Sequence, residues 1–440
     1  MLYDDLLAKI ENREARAGVV GLGYVGLPLA MAYVDAGYRV LGYDVDPVKA
    51  EELKAGRSYI GDVADEQVAA AAAAGAFEVT TDASRLAEPD VVAVCVPTPL
   101  TAAKEPDMSF LDDTAETLAR RLRPGQLVIV ESTVYPGATR EAVLPRLEKS
   151  GLAAGRDFWL AFSPERVDPG NKAFQFKEIP TVVGGTDEAS GRLAAAFYKP
   201  VVQEVIKVSS AEVAEMSKLL ENTYRAVNIA LVNELKVICD KMELDVFEVI
   251  EAAATKPYGF QEFTPGPGVG GHCIPLDPYY LAWRARAVGH ESRFVELAGQ
   301  VNDEMPAYAV ARLEEALRAR GRADLTGARV LVLGVAYKAN VDDLRESPAL
   351  VVIELLRRGG ADVAYHDPYA PALPKTRKYD FGLTSAPLDA GSLKTYDAVV
   401  IITDHTAVDY EMVLREAALV VDTRGVARRL GYEGDNVVTA

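Results

Sequence analysis

The sequence predicts an α/β protein: two doubly wound domains, each a largely parallel sheet covered by helices, joined by a long central helix in an all-helical middle segment. Three observations carry that expectation. Short apolar runs alternate with helical stretches from Ala17 onward and again after Thr326-Gly327, the order in which a parallel sheet and its crossover helices are laid down. Between them, residues 209–254 keep a helical pattern through Met216, Leu219, Ile229, Val232 and Leu235 with no internal Gly or Pro. The run GLGYVG at 21–26 follows the first apolar run and opens an amphipathic stretch, a strand–turn–helix context that makes the flanking domain Rossmann-like. The expected divisions are residues 1–205, 206–315 and 316–440, which suits a chain of 440 residues, 49% of them apolar, too long for one core.

Taken in order, the apolar run at 17–20, the amphipathic stretch at 27–36 and the run at 38–43, closing at Asp44, form one βαβ unit. The Ala-rich residues 68–76 read as helix. Residues 90–96 and 126–131 are continuous apolar runs bounded by turn residues, as in parallel strands buried on both faces. Each runs into a polar, Pro-containing segment, Pro97-Thr98-Pro99 and Ser132-Thr133-Val134-Tyr135-Pro136. Ligands of open α/β sheets sit beyond the carboxyl ends of the strands, so Thr98 and Thr133 are expected where cofactor and substrate meet. Ser209 and Ser210 are possible N-caps of the long helix. Runs at 328–334, 361–368 and 397–402 supply the second α/β domain, which lacks GxGxxG. Residues before Ala17 and after Ala427 carry no pattern that assigns them.

The three cysteines, Cys95, Cys239 and Cys273, are widely spaced and form no CxxC. That argues against a disulfide framework or a zinc site, so no metal is expected, and it fits a reducing, cytoplasmic setting. Residues 1–16 lack an apolar h-region and no run of 18 apolar residues occurs, so neither secretion nor a membrane span is expected. A net charge of −18 opposes nucleic-acid phosphates and anionic lipid; an anionic ligand needs locally placed Lys, Arg and backbone N–H groups.

In the first motif, Gly21 permits the tight turn, Gly23 lets the backbone approach a pyrophosphate and Gly26 allows close helix packing, with Tyr24 and Val25 between them. Asp44 at the next strand end would accept the ribose hydroxyls and repel a 2′-phosphate, selecting NAD over NADP, with Lys49 nearby as a countervailing charge. The stretch GPGVGGHCIPLDP at 266–278 places a thiol, Cys273, four residues from a carboxylate, Asp277, in a loop rich in Gly and Pro. It reads as a nucleophilic site, whereas Cys95 and Cys239 read as core thiols. Lys218, Asn222 and Arg225 sit at i, i+4 and i+7 and so share one helix face, an ammonium and an amide suited to a developing oxyanion. Glu165 and Arg166 pair a carboxylate with a guanidinium after a short apolar run. Lys338 and Arg345 supply basic groups for a diphosphate or carboxylate, with Ser347 as a competing helix N-cap. A hydride acceptor and a nucleophilic sulfur in one chain suggest oxidation through a thioester.

Together, GLGYVGLPLA, ESTVYPGATR, FSPERVDPGN, the Lys218–Asn222 pair, GPGVGGHCIPLDP and GVAYKANVDDLRESP resemble the UDP-glucose/GDP-mannose dehydrogenase family from about residue 17 to residue 427. The resemblance implies an N-terminal NAD domain, a C-terminal UDP domain, and a long helix that forms a homodimer or higher homo-oligomer. It implies a four-electron oxidation of a sugar C6 alcohol to a carboxylate with two NAD and one water. By position, Cys273 would be the nucleophile, Lys218 and Asn222 would stabilise oxyanions, and Asp277 and Glu165 with Thr133 would activate water. Gly21, Gly23, Tyr24, Val25, Gly26, Asp44, Lys49, Thr98, Thr133 and Arg345 would contact NAD. Glu165, Arg166, Val167, Lys218, Asn222, Arg225, Gly268, Gly270 and Lys338 would contact the nucleotide sugar. Ser163-Pro164-Glu165-Arg166 and GGHCIPLDP depart from the UDP-glucose pattern toward N-acetylhexosamine enzymes. Lys256-Pro257-Tyr258-Gly259-Phe260 looks like the UDP-N-acetylglucosamine branch, with UDP-N-acetylmannosamine and UDP-glucose as alternatives. A two-electron dehydrogenase of the 6-phosphogluconate type and a non-catalytic nucleotide-sugar sensor are the rival classes.

Overall fold

Runs made almost wholly of Val, Ile, Leu and Ala become strands here, because such residues gain most from a sheet covered on both faces. The computed structural model describes residues 1–166, 174–376 and 378–440. They fold as two units, Met1–Glu221 with Tyr279–His290, and Asn222–Pro278 with Glu291–Ala440.

The first unit is built on strands β1 (Arg16–Val20), β2 (Arg39–Tyr43), β3 (Phe77–Thr80), β4 (Val91–Val94), β5 (Leu127–Val130), β6 (Trp159–Phe162), β7 (Thr181–Gly185) and β8 (Val205–Lys207). Their order is β3-β2-β1-β4-β5-β6-β7-β8. Neighbours are parallel from β3 through β6, and β7 turns antiparallel to β6. The order reverses between β1 and β4, which opens a crevice at their carboxyl ends. The expected runs at 17–20, 38–43, 90–96 and 126–131 are β1, β2, β4 and β5, and the stretches 27–36 and 68–76 are the helices Gly26–Asp35 and Asp65–Ala73. The N-terminal residues that carried no pattern form the helix Leu2–Glu11, which buries Leu6 and Ile10 in the core and pairs Lys9 with Asp90 at 2.9 Å.

In the second unit β9 (Arg329–Leu333), β10 (Asp362–His366), β11 (Ala398–Ile401), β12 (Val420–Asp422) and β13 (Val437–Thr439) form an all-parallel sheet in the order β10-β9-β11-β12-β13. The unassigned tail supplies its edge strand. Ser347 caps the helix Pro348–Arg358, its Oγ accepting from the Ala349 N–H at 3.3 Å.

The helical pattern at 209–254 is corrected by the structure into two helices, Ala211–Lys241 and Val246–Ala254. Glu243 adopts a left-handed φ of 57°, the Leu244 N–H closes on the Cys239 carbonyl at 2.9 Å, and Asp245 caps the new helix through the Phe247 N–H at 2.9 Å. A glutamate stands where glycine usually does, so no breaker marked the end. At the other end Ser210 does cap, its Oγ accepting from the Val213 N–H at 3.3 Å. Along this 31-residue helix, about 46 Å long, Val213, Met216, Leu220, Leu231, Leu235 and Ile238 are all exposed. Val213, Met216 and Leu220, and again Leu231, Leu235 and Ile238, are spaced by three and four, as along a helix-pairing stripe.

Glu215, fully buried on the same helix, grips the segment after β5. Its carboxylate accepts the N–H groups of Gly137 at 2.5 Å and Thr139 at 2.8 Å. Glu215→Gln puts an amide NH2 against one of those donors and is expected to lower stability by about 2 kcal/mol. Urea unfolding followed by circular dichroism measures this, and an unchanged midpoint would count against the clamp.

Candidate active site

The glycine loop is shaped by contacts that a Cβ would forbid. Gly21, at φ 87°, donates its N–H to the Tyr43 carbonyl at 2.8 Å, and a Cβ on Gly26 would lie 1.8 Å from the Gly21 carbonyl oxygen. At Gly23 a Cβ would meet nothing within 4 Å, so the backbone there faces open space. Val25 is the N-cap residue of the helix Gly26–Asp35 and Tyr24 is exposed beside it. The loop is held from below at Leu22, whose N–H donates to Asp44 Oδ2 at 2.8 Å and whose carbonyl accepts from the Tyr59 hydroxyl at 2.6 Å. Asp44 Oδ1 also accepts the Asp46 N–H at 2.9 Å, and Lys49 Nζ stands 3.6 Å from Oδ2. Asp44 thus anchors the loop as well as closing β2, and Lys49 pairs with it. Tyr59 had no motif to announce it. Open backbone over Gly23, a helix N-terminus and a carboxylate at the second strand end together fit NAD.

Thr98 and Thr133 follow the adjacent strands β4 and β5, as expected, and Ser132 Oγ ties their two segments by donating to the Val96 carbonyl at 2.7 Å. Thr98 is buried, its carbonyl accepting from the Tyr280 hydroxyl at 2.8 Å, while Thr133 is half-buried. Lys218 and Glu165 come together, but through the backbone: Lys218 Nζ donates to the Glu165 carbonyl at 2.5 Å. Arg166 pairs with Glu221 at 2.8 Å and donates to the Pro180 carbonyl at 2.7 Å. Val167 lies outside the described residues. Beside Glu165 lies a cavity of about 20 Å³, lined also by Ser163, Arg166 and the buried Glu131. Glu131 accepts hydrogen bonds from the hydroxyls of Tyr33 and Tyr198. Burial first, and then the charge of Glu165, push its carboxyl well above the usual range. Sequence reasoning missed Glu131, since a single polar residue at the end of an apolar run has no periodic signature.

In the second unit the Cys273 loop is also shaped by missing Cβ atoms. Gly268 has φ 117° and Gly271 φ 88°; a Cβ on Gly270 would sit 2.7 Å from Tyr337 Cβ, and one on Gly271 2.9 Å from the Tyr337 ring. The Gly271 N–H donates to the Arg345 carbonyl at 2.9 Å. Tyr337, another residue the sequence did not single out, is therefore the floor of the loop. Cys273 is half-buried, whereas Cys95 and Cys239 are buried, as expected of core thiols. Burial, then the charge of Glu131, raise the Cys95 thiol well above its usual range, which keeps it protonated and inert. The Cys273 carbonyl accepts the Asp277 N–H at 2.8 Å as the helix Asp277–Ala287 begins. Asn222 Nδ2 donates to Asp277 Oδ2 at 2.5 Å, both side chains being buried.

Of the residues expected on one helix face, Lys218 and Asn222 are buried but Arg225 is exposed, because the buried face continues through its neighbour Ala226 and leaves Arg225 at the edge. Thr133, Glu165 and Lys218 belong to the first unit; Asn222, Arg225, Gly268, Gly270, Cys273, Asp277, Lys338 and Arg345 belong to the second. Lys338 is half-buried, and the Arg345 guanidinium forks onto Asp343 with its shortest contact at 2.6 Å.

Comparison with known proteins places these features in one lineage. Three models of the UDP-glucose/GDP-mannose dehydrogenase family match the chain: the NAD binding domain over residues 15–202, the central domain over 212–304 and the UDP binding domain over 331–429. Protein CapL of Staphylococcus aureus is 38% identical over 415 residues, covering 93% of this chain and 95% of that protein. A UDP-N-acetyl-D-glucosamine 6-dehydrogenase of Pseudomonas aeruginosa is 37% identical over 396 residues, 90% and 91% of the two chains. The solved UDP-D-ManNAc dehydrogenase of Pyrococcus horikoshii superposes with a TM-score of 0.86 at 33% identity, covering 96% and 98% of the two chains. The chain belongs to the UDP-glucose/GDP-mannose dehydrogenase family and is an NAD-dependent nucleotide-sugar dehydrogenase.

Proposed function

We propose that the chain oxidises the C6 hydroxyl of UDP-N-acetyl-D-glucosamine to the uronic acid through a thiohemiacetal and a thioester on Cys273. The observation that carries this reading is the half-buried Cys273 in a glycine loop, one helical turn before a buried Asp277 whose carboxylate Asn222 holds. Bound NAD supplies the hydride acceptor, once for each two-electron step. The chain's own groups do the rest. Cys273 Sγ adds to the aldehyde carbon, forming a C–S bond, and the oxygen is stabilised by Lys218 and Asn222. After the second oxidation, water attacks the thioester, its proton passing to Asp277 or Glu165 with Thr133 positioning it; the C–S bond breaks and the thiolate is released with the carboxylate product.

Within this reading Arg166, Val167, Arg225, Gly268, Gly270 and Lys338 hold the nucleotide sugar, and the glycine loop, Asp44, Lys49, Thr98 and Arg345 hold NAD. The division 1–205, 206–315 and 316–440 then separates cofactor, thiol and UDP functions. Three widely spaced cysteines with no CxxC favour a reducing, cytoplasmic setting. The exposed apolar stripe on Ala211–Lys241 is the surface through which the chain pairs with a second copy. The N-acetylglucosamine assignment rests on Lys256-Pro257-Tyr258-Gly259-Phe260 and on the Pseudomonas relative. The N-acetylmannosamine epimer is the second reading, favoured by the Pyrococcus structure.

Cys273→Ser is expected to keep NAD and UDP-sugar binding by calorimetry while acid formation falls roughly a thousandfold or more. Near-normal turnover of that variant, or one NADH per sugar consumed by the wild type in place of two, would overturn the covalent route. Initial rates on purified UDP-sugars are expected to rank UDP-N-acetylglucosamine first, and a preference for another sugar reassigns the substrate. Sedimentation should show a dimer that Leu231→Glu splits; a wild-type monomer at micromolar concentration would contradict the pairing stripe.

A further inference from the structure

The segment that carries Lys338 is held by a buried carboxylate–imidazole pair that no motif marks. It leaves β9 at Gly334, where φ is 78° and a Cβ would lie 2.2 Å from the Thr403 carbonyl oxygen. Asp367, just past the end of β10 and almost fully buried, accepts the N–H groups of Val335 at 2.7 Å and Ala336 at 3.2 Å on Oδ2, and those of Tyr369 at 2.8 Å and Ala370 at 3.1 Å on Oδ1. The fifth partner of Asp367 is His405, fully buried beyond β11, whose Nε2 is 2.9 Å from Oδ2. The other nitrogen of His405, Nδ1, accepts the Asn340 N–H at 3.0 Å. An Nδ1 that accepts carries no proton, so the ring is the Nε2–H tautomer and donates to Asp367. Burial pushes the Asp367 carboxyl up, but the hydrogen bonds from His405 and the Val335 amide outweigh it and hold it at about 2. Asn340 itself stands at φ 63°, its Oδ1 accepting from the Thr406 N–H at 2.9 Å and hydroxyl at 3.0 Å, while Thr403 Oγ1 donates to the Ala336 carbonyl at 2.6 Å.

Residues 335 and 336 are therefore pinned by Asp367, residue 340 by His405, and Lys338 stands between the two pins. We propose that Asp367 and His405 are positioning residues that set the Lys338 segment for the UDP end of the substrate, in the way outer partners orient the groups that touch a ligand. The inference rests on the reading of Lys338 as a nucleotide-sugar contact. It is separate from the thiol chemistry, so it predicts an effect on one substrate alone. A purely structural pair would disturb both substrates, or only thermal stability.

The test uses the full-length enzyme. His405→Phe keeps a ring against Tyr369, whose centroid is 5.1 Å away, but removes both hydrogen bonds. KM for the UDP-sugar is expected to rise about ten-fold, with KM for NAD and kcat held within about two-fold and amide exchange at Asn340 accelerated. His405→Asn, whose Oδ1 can replace Nδ1 as acceptor, is expected to recover most of that loss. Equal rises in both KM values, or an unchanged UDP-sugar KM in His405→Phe while Lys338→Ala raises it, would overturn the positioning role. An unchanged UDP-sugar KM in Lys338→Ala as well would overturn the assignment of Lys338 itself.

Discussion

A polar side chain buried on a helix must find its partner at a position the helix dictates, and the helix Ala211–Lys241 turns that constraint into a scaffold. Glu215, Lys218 and Asn222 are buried on it and each holds a different loop: Glu215 the N–H groups at 137 and 139, Lys218 the carbonyl of Glu165, Asn222 the carboxylate of Asp277. Leaving any of these groups unpaired in the interior costs more than the bond itself gains. The loops are consequently tied to the helix by desolvation as much as by attraction. Lys218 and Asn222 thus hold the loops at Glu165 and Asp277, each within its own unit.

Two loops of unrelated sequence use one steric device. In the first unit Gly26 lets a helix start against the Gly21 carbonyl; in the second, Gly270 and Gly271 let the Cys273 loop lie on Tyr337. In both, a methyl group at one position would push backbone away from backbone or ring. The difference lies in what the approach leaves open. Over Gly23 there is room for a ligand to reach main-chain N–H groups, whereas the Cys273 loop is closed underneath and presents its thiol half-buried.

The chain's acidity has an interior counterpart. Asp44, Glu215 and Asp367 are buried carboxylates whose oxygens accept backbone N–H groups at loop ends, work that the sign of the net charge does not reveal. Glu131 differs from them: its partners are two phenols and its neighbour is Glu165, and its carboxyl is pushed up. Like charges close together in a dry site do not both ionise readily, and the charge of Glu165 adds to burial in raising the Glu131 carboxyl.

Alternation of apolar runs with helical stretches, the GLGYVG turn and the isolated Cys273 were legible in the sequence because each depends on local order: strand and helix periodicity, a turn that only glycine adopts, a thiol surrounded by chain breakers. The sequence by itself therefore determined two largely parallel sheets, a dinucleotide loop, a long helix and a distinction between one half-buried and two buried cysteines. Where that helix ends, that Arg225 emerges into solvent, that Tyr59 bonds the glycine loop, that Tyr337 underlies the Cys273 loop, that Glu131 takes two phenols and that Asp367 pairs with His405 were decided only in three dimensions. Each of these partnerships joins residues distant along the chain, and a buried hydrogen bond between such residues leaves no periodic trace in either segment.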